Sequence, residues 1–424
     1  MTFSRIFRRE AVVVKALHPL SELSPQLALA PEIEIRPQHV APQPGGGVPR
    51  IDDPAAAATR ALVTPMNYPP LDLAVVPGDQ LAIAIDETVP CAARVVEGVV
   101  AAGEHAGIER DCISIVADDE GLLQTLRAEL GQGAAGGLRF VLHDPDDPQD
   151  LCLVGVMEKN DRLLVNRTLF EADVVLPVGC ARLPDVAHSN GVYDSLFPRF
   201  CDAATIARLR TPSQQQSAAR KATARRYTDE AGWLLGVPLV MQVVPGGGGR
   251  VAEVVAGEPL AVAEHCQQLC RQLWSLSVPR RASLVIASVT GGRQEQTWDN
   301  IARALAAAEA VVADGGAVAI CSDLDVEPGH SLSRLSGSTD WAAIERDARN
   351  DHSADSWPAW QLARALQRGP VYFLSQLADE TVEELGLAPV SDLAELARLA
   401  SRHQSCLVLD DSQHAVATVA GEKP

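Results

Sequence analysis

Short apolar runs that stop at a polar or glycine residue, each followed by a stretch with helical spacing, most constrain what this chain can fold into. Gln80-Leu-Ala-Ile-Ala-Ile85 stops at Asp86, and Ala92 to Ala106 then places Val95, Val96, Val99 and Val100 at helical intervals before Gly107. Cys112 to Ala117, Leu138 to Leu142, Asp161 to Val165 and Asp173 to Val178 are further runs, with a helical stretch from Gly121 to Leu130. Continuous apolar runs of this length suit strands buried on both faces. Strands that alternate with helices imply a mostly parallel sheet with right-handed crossovers.

The pattern returns after residue 236. Val237 to Val244, Ala282 to Ala287, Ala317 to Ile320, Val371 to Leu374 and Cys406 to Leu409 read as strands, the last one final. Leu260 to Leu276, Trp298 to Ala313 and Asp392 to Arg402 read as helices. Between the two sets, residues 213–235 have the spacing of a long polar-faced helix, a connector. Residues 1–59 lack periodicity, and Pro42 to Pro49 has the composition of a linker. The expected fold class is therefore α/β, two α/β domains with mostly parallel sheets. Its divisions are an irregular arm over 1–59, one domain over 60–235 that ends in the connecting helix, and a second over 236–424.

Composition excludes several partners. Lys+Arg 36 against Asp+Glu 55 leaves a net charge of −19, which repels a nucleic-acid backbone or an anionic membrane surface. No run approaches the roughly 18–20 apolar residues that span a bilayer. The nine cysteines are scattered without a Cys-x-x-Cys pair and read as buried thiols of a reduced, cytoplasmic compartment. Only Lys15, Lys159, Lys221 and Lys423 are lysines, so chemistry that needs an amine has few candidates.

Local signals point to the carboxyl ends of strands, where ligands gather in open α/β sheets. Asp86-Glu87-Thr88 follows the first strand, and such groups bind hydroxyls or a metal, or cap the next helix. Gly291-Gly292 follows the strand ending at Ser288 and either lets backbone approach a ligand or makes a tight turn. His188, in a loop beyond the strand ending at Val178, is a candidate general acid or base, or else a surface histidine. Gly246 to Gly249 lacks the Lys-Ser/Thr of a phosphate loop and leads into a β-type run, so a hairpin turn is expected. His265, Cys266 and Cys270 share a helix, but without a second ligand cluster they read as core residues rather than a zinc site.

Taken in order, the segments resemble the nickel-dependent lactate racemase family over about residues 60 to 420. Leu62-x-x-Pro65, Pro77-Gly78-Asp79 and Ala82-Ile-Ala-Ile-Asp86-Glu-Thr88-Val-Pro90 are similar to its opening strand and Asp-x-Thr-Arg-Pro turn. His143-Asp144, Val165-Asn166-Arg167 and Glu171-Ala-Asp173 are similar to the middle of its first domain. Val254-Val-Ala-Gly257, Leu284 to Gly292, Ala304-Leu305, Gly315-Gly316 and Glu327-Pro-Gly329 are similar to its second half. The resemblance implies two α/β domains facing an interdomain cleft, and a racemase or epimerase acting on or binding a 2-hydroxy acid or similar polar metabolite in that cleft. The alternative is a non-catalytic relative that binds a small anionic ligand or a protein partner. The family cofactor is a nickel-pincer nucleotide, tethered by lysine and with nickel bound by histidine; it accepts hydride while two histidines exchange the hydroxyl proton.

Residue by residue, the chain departs from that plan. The family's Gly-x-Ser-Gly-Gly-x-Lys loop reads Gly191-Val-Tyr-Asp-Ser-Leu-Phe197-Pro198, and the nickel ligand falls near Leu209 or Arg210. Asp118-Asp119-Glu120 replaces the first base histidine, and Val89 replaces the turn arginine. No metal ligand and no cofactor is therefore assigned. Carried over as catalytic candidates are His188, at the second base, and Asp86. Thr88, Gly291, Gly292, Asn300 and Arg303 are carried over as ligand-binding candidates, the last two in place of a glutamine and a lysine. The ligand expected is a small anion or hydroxy acid.

Overall fold

A computed structural model of the chain describes residues 50–422 apart from 159, 185, 187–190, 216 and 217. The first described helix, Pro54–Val63, has Asp53 as its cap and proline at its first position. Residues 54–59 of the expected irregular arm are therefore helical, because a local cap outweighs the weak periodicity around it. This helix crosses Ala92–His105 at Gly98, where a Cβ atom would stand 2.1 Å from the Ala55 carbonyl oxygen.

Strands are numbered in chain order. The first half holds β1 (Leu81–Ile85), β2 (Ile113–Ala117), β3 (Arg139–Leu142), β4 (Leu151–Val156), β5 (Arg162–Asn166), β6 (Val174–Cys180), β7 (Val240–Pro245) and β8 (Val251–Gly257). Six of these make one sheet in the order β3-β2-β1-β6-β7-β8, parallel except for β8. β1 shows why an unbroken apolar run was needed. Leu81, Ile83 and Ile85 enter one core cluster and Ala82 and Ala84 the cluster on the opposite face. β4 and β5 form a separate antiparallel hairpin, so the run at 161–165 is not part of the parallel sheet. Its partner β4 was not legible, having only intermediate or exposed residues.

The second half adds β9 (Ser275–Val278), β10 (Ala282–Ser288), β11 (Val312–Cys321), β12 (Val371–Leu374), β13 (Ala388–Pro389), β14 (Cys406–Leu409) and β15 (Val416–Val419). Five pair in parallel in the order β13-β12-β11-β10-β14, and β15 pairs with β9. The connecting helix spans Ala218–Leu234, shorter than the pattern over 213–235 because residues Pro212–Gln215 form a 3-10 turn. The expected division at 235/236 does not coincide with a change of sheet. β7 and β8 complete the first sheet, and the Gly246 to Gly249 segment is the turn between them, closed by Gly246 N–H on the Arg250 carbonyl at 2.7 Å. No helix among the described residues is long and apolar enough to cross a membrane.

Candidate functional site

Parallel strands bring their carboxyl ends together, and at β1, β2 and β6 those ends carry charge. Asp86, the first residue after β1, is only 3% exposed. Its Oδ1 accepts the Thr88 N–H at 2.9 Å, the Thr88 hydroxyl at 2.8 Å and Arg199 Nη2 at 3.2 Å. Arg182, two residues beyond β6, places Nη1 3.9 Å from Asp86 Oδ2 and donates through Nη2 to the Thr88 hydroxyl oxygen. Burial pushes the Asp86 carboxyl up, but Arg199, Arg182 and the Thr88 hydrogen bonds outweigh it and hold it at about 2. Asp86 is thus a fixed anion that orients two guanidiniums.

Arg199 links this group to β2. Its Nη1 donates to both Asp118 oxygens at 2.6 and 2.8 Å and lies 3.7 Å from Glu87 Oε1. Arg210, at the end of the helix Ala203–Arg210, stands 3.5 Å from Asp118 Oδ2. Burial pushes the Glu87 carboxyl up to about 7, with Arg199 opposing and the Asp118 and Asp86 carboxylates adding to it.

The second half contributes through the helix Trp298–Glu309, capped by Thr297. Asn300 donates through Nδ2 to the Glu295 carbonyl at 2.8 Å and accepts Arg303 Nη1 at 2.7 Å. One helical turn thus pairs the two residues as the sequence spacing requires. The buried Arg303 guanidinium also lies over the Trp357 ring, 5.8 Å from its centroid. Burial, then the like charge of Arg182, lowers Arg303 to about 10, while Asp299 and Asp86 oppose. The cation of one half therefore feels the cation of the other.

Gly291 and Gly292 lie in the turn after β10. Gly291 has φ of 107°, and a Cβ there would come within 2.4 to 2.6 Å of the Glu295 carboxyl group; the turn is also covered by Gly249, whose own Cβ would sit 2.7 Å from Gly291 Cα. Gly292 is exposed. His188 lies outside the described residues. Cys266 and Cys270 are buried free thiols, and His265 pairs with Glu253 at 3.0 Å. His143 is a satisfied core residue that contacts the Cys201 carbonyl at 2.9 Å and Asn166 at 3.2 Å.

The lactate racemase N-terminal domain pattern matches residues 32–219. A lactate racemase of Thermoanaerobacterium thermosaccharolyticum is 21% identical over 297 residues, 66% of this chain and 68% of the relative. The apoprotein structure of lactate racemase from that organism matches with a TM-score of 0.72 and 20% identity, over 87% of this chain and 93% of that one. The chain is similar to lactate racemases in sequence over its first half, and its fold is lactate racemase-like. A Thermotoga maritima protein has the same fold with a TM-score of 0.62 and 12% identity, over 87% of this chain and 99% of its own.

In this lactate racemase-like protein the residues at the strand ends do not fit a nickel-pincer nucleotide. Guanidiniums offer donors and no lone pair to a metal, and Asp86 and Asp118 are engaged by them. Among the described residues no group of three or more His, Cys, Asp or Glu is placed to hold a metal ion. The one lysine among them, Lys221, sits on the helix Ala218–Leu234. Where Val89 replaces the turn arginine, Arg182 reaches Thr88 from β6 instead. Arg182 and Arg199 were not named from sequence, although Arg182 stands just past a strand end. Glu87 was named only within the Asp86-Glu87-Thr88 turn, and Asp118 and Arg210 only as replacements for family residues.

Proposed function

We propose that this protein binds a small carboxylate, a 2-hydroxy acid or a similar polar anion, in a cleft between its two halves. Arg182 and Arg303 are the proposed clamp, with Asn300 positioning Arg303 and with Asp86 and Thr88 positioning Arg182. The observation that supports this reading is geometric: Arg182, just past β6 and held by Asp86 and Thr88, and Arg303, held by Asn300, are buried guanidiniums from different halves, and the charge of Arg182 acts on Arg303. A cavity of about 30 Å³ beside Cys180, Arg182, Asp194, Arg225, Gln242 and Cys266 holds little more than a water. The acid is therefore assigned to the side where Glu87 and Arg210 are each 37% exposed. The free state of all nine cysteines agrees with a reduced, cytoplasmic setting.

Titration calorimetry with D-lactate, L-lactate and glycolate tests the assignment. Saturable binding is expected, weakened at least about tenfold by Arg182→Ala and by Arg303→Ala, as for loss of a charge-assisted hydrogen bond. No saturable binding of any of the acids overturns it. Turnover is the second reading, favoured by a Glu87 carboxyl that titrates near neutrality beside the site. Chiral chromatography of the same incubations measures it. If racemisation occurs, His188→Ala is expected to abolish it and leave the melting temperature within a few degrees, since its proposed part is proton transfer to the bound acid. An unchanged rate removes His188 from the site.

A further inference from the structure

Three carboxylates surround the Arg199 guanidinium, and they hold it unequally. Asp118 grips it through two hydrogen bonds of 2.6 and 2.8 Å, and Asp86 through one of 3.2 Å. Glu87 stands at 3.7 Å, beyond hydrogen-bond reach, and its side chain is 37% exposed against 18% for Asp118 and 4% for Asp86. The carboxylate nearest the open side is thus the most weakly held. Backbone position makes this unavoidable, since Asp86 is fixed by the Thr88 turn and Asp118 by two arginines, while Glu87 projects from the same turn without such bonds to fix it.

We propose that Glu87 is a displaceable counter-anion of Arg199, a gate residue that an entering carboxylate must push aside. The idea rests on the anion-binding reading above and adds Arg199, which shares Asp86 with Arg182, as a further cation that the acid meets on the open side of the clamp. A ligand carboxylate that makes hydrogen bonds to Arg199 replaces a longer, partly solvated contact. The groups facing Glu87 are Arg199 from the loop 191–200, Asp86 beside it, Asp118 after β2 and Arg210 from the helix Ala203–Arg210. Two of these are anions, so ionised Glu87 is already disfavoured, and its carboxyl titrates at about 7. An added anion raises it further. Binding therefore takes up a proton, and affinity is highest below the free-state value and falls as pH rises through it.

The test uses the full-length protein and Glu87→Gln, titrated with L-lactate and with sulfate at about pH 5.5, 7 and 8.5. Lactate stays ionised across this range, so the pH dependence belongs to the protein. For the native protein, affinity for lactate is expected to fall by about fivefold between the two ends, the size of one partly exposed ion pair. Glu87→Gln is expected to bind about fivefold more tightly than the native protein at the high end, within twofold of it at the low end, and with a flat profile. Glu87→Ala serves as the second variant and should give the same flat profile. Binding that is equally pH-dependent in the variants, or pH-independent in the native protein, overturns the role of Glu87 and leaves the anion site standing. Failure of both anions to bind any of the proteins at low pH overturns the site and this inference together.

Discussion

Asp86 and Asp410 occupy the same kind of place and behave in opposite ways. Each is the first residue after a parallel strand, β1 and β14, and each is nearly inaccessible, at 3% and 2% exposure. Burial pushes both carboxyls up. Around Asp86 two guanidiniums and Thr88 reverse that push and leave it at about 2. Around Asp410 only the Ser288 hydroxyl, at 2.9 Å, opposes burial, and the carboxyl rises to about 7 with Oδ2 lacking a hydrogen-bond partner. The strand end supplies a place, and the side chains that reach it from other segments decide the charge. At the first sheet they are arginines and make an anion site. At the second, Asp411 accepts Gly248 N–H at 2.9 Å and the Thr290 hydroxyl, which ties the β7–β8 turn to the second sheet.

Removing the arginine should make the first site resemble the second. Arg199→Leu leaves Asp86 and Asp118 short of their main counter-charge and is expected to cost about 3–5 kcal/mol at neutral pH in urea unfolding. The sign follows from the depressed Asp86 value. Its contribution is present above the unfolded value of about 3.9 and is lost as pH falls toward 2. The difference between Arg199→Leu and the native protein should therefore shrink in acid. A constant difference would mean that packing, not charge, is what Arg199 provides.

The converse change is smaller. Asp410 has a raised value, so its favourable contribution is present below about 3.9 and is lost as pH rises through about 7. Asp410→Asn should remove that loss and stabilise the protein by on the order of 2 kcal/mol at pH 8, with little effect near pH 4. Destabilisation at both pH values would show that the ionised Asp410 carboxylate is itself stabilised by a partner.

How much of this was legible follows from how local each determinant is. β1, β2, β10 and β14 were readable because both their faces are covered, so the strand is an unbroken apolar word. The Asn300–Arg303 pair was readable because three residues on a helix is one turn. Arg199 was not. It reaches Asp86 across 113 residues of sequence, from a loop with no period of its own. The placing of β7 and β8 in the first sheet was hidden for a similar reason, since strand order depends on long-range pairing that no window of sequence contains.

The smallest expected effect bears on whether the second sheet's turn touches the acid at all. Sequence makes Gly291 and Gly292 ligand-binding candidates, and the positive φ at Gly291 gives a structural reason for the glycine. Gly291→Ala places a methyl group at an unfavourable backbone angle and against the Glu295 carboxyl group, which itself accepts Gln413 Nε2 at 3.2 Å. A cost of about 1–2 kcal/mol is expected, since the side chain must shift within a buried group. If the turn only ties the halves together, lactate affinity measured on folded protein should change less than it does in Arg182→Ala. If Gly291→Ala instead removes lactate binding while urea unfolding is unchanged, backbone at this turn contacts the acid. Both sheets would then present ligand-contacting strand ends, and the contrast drawn between them would hold for charge alone.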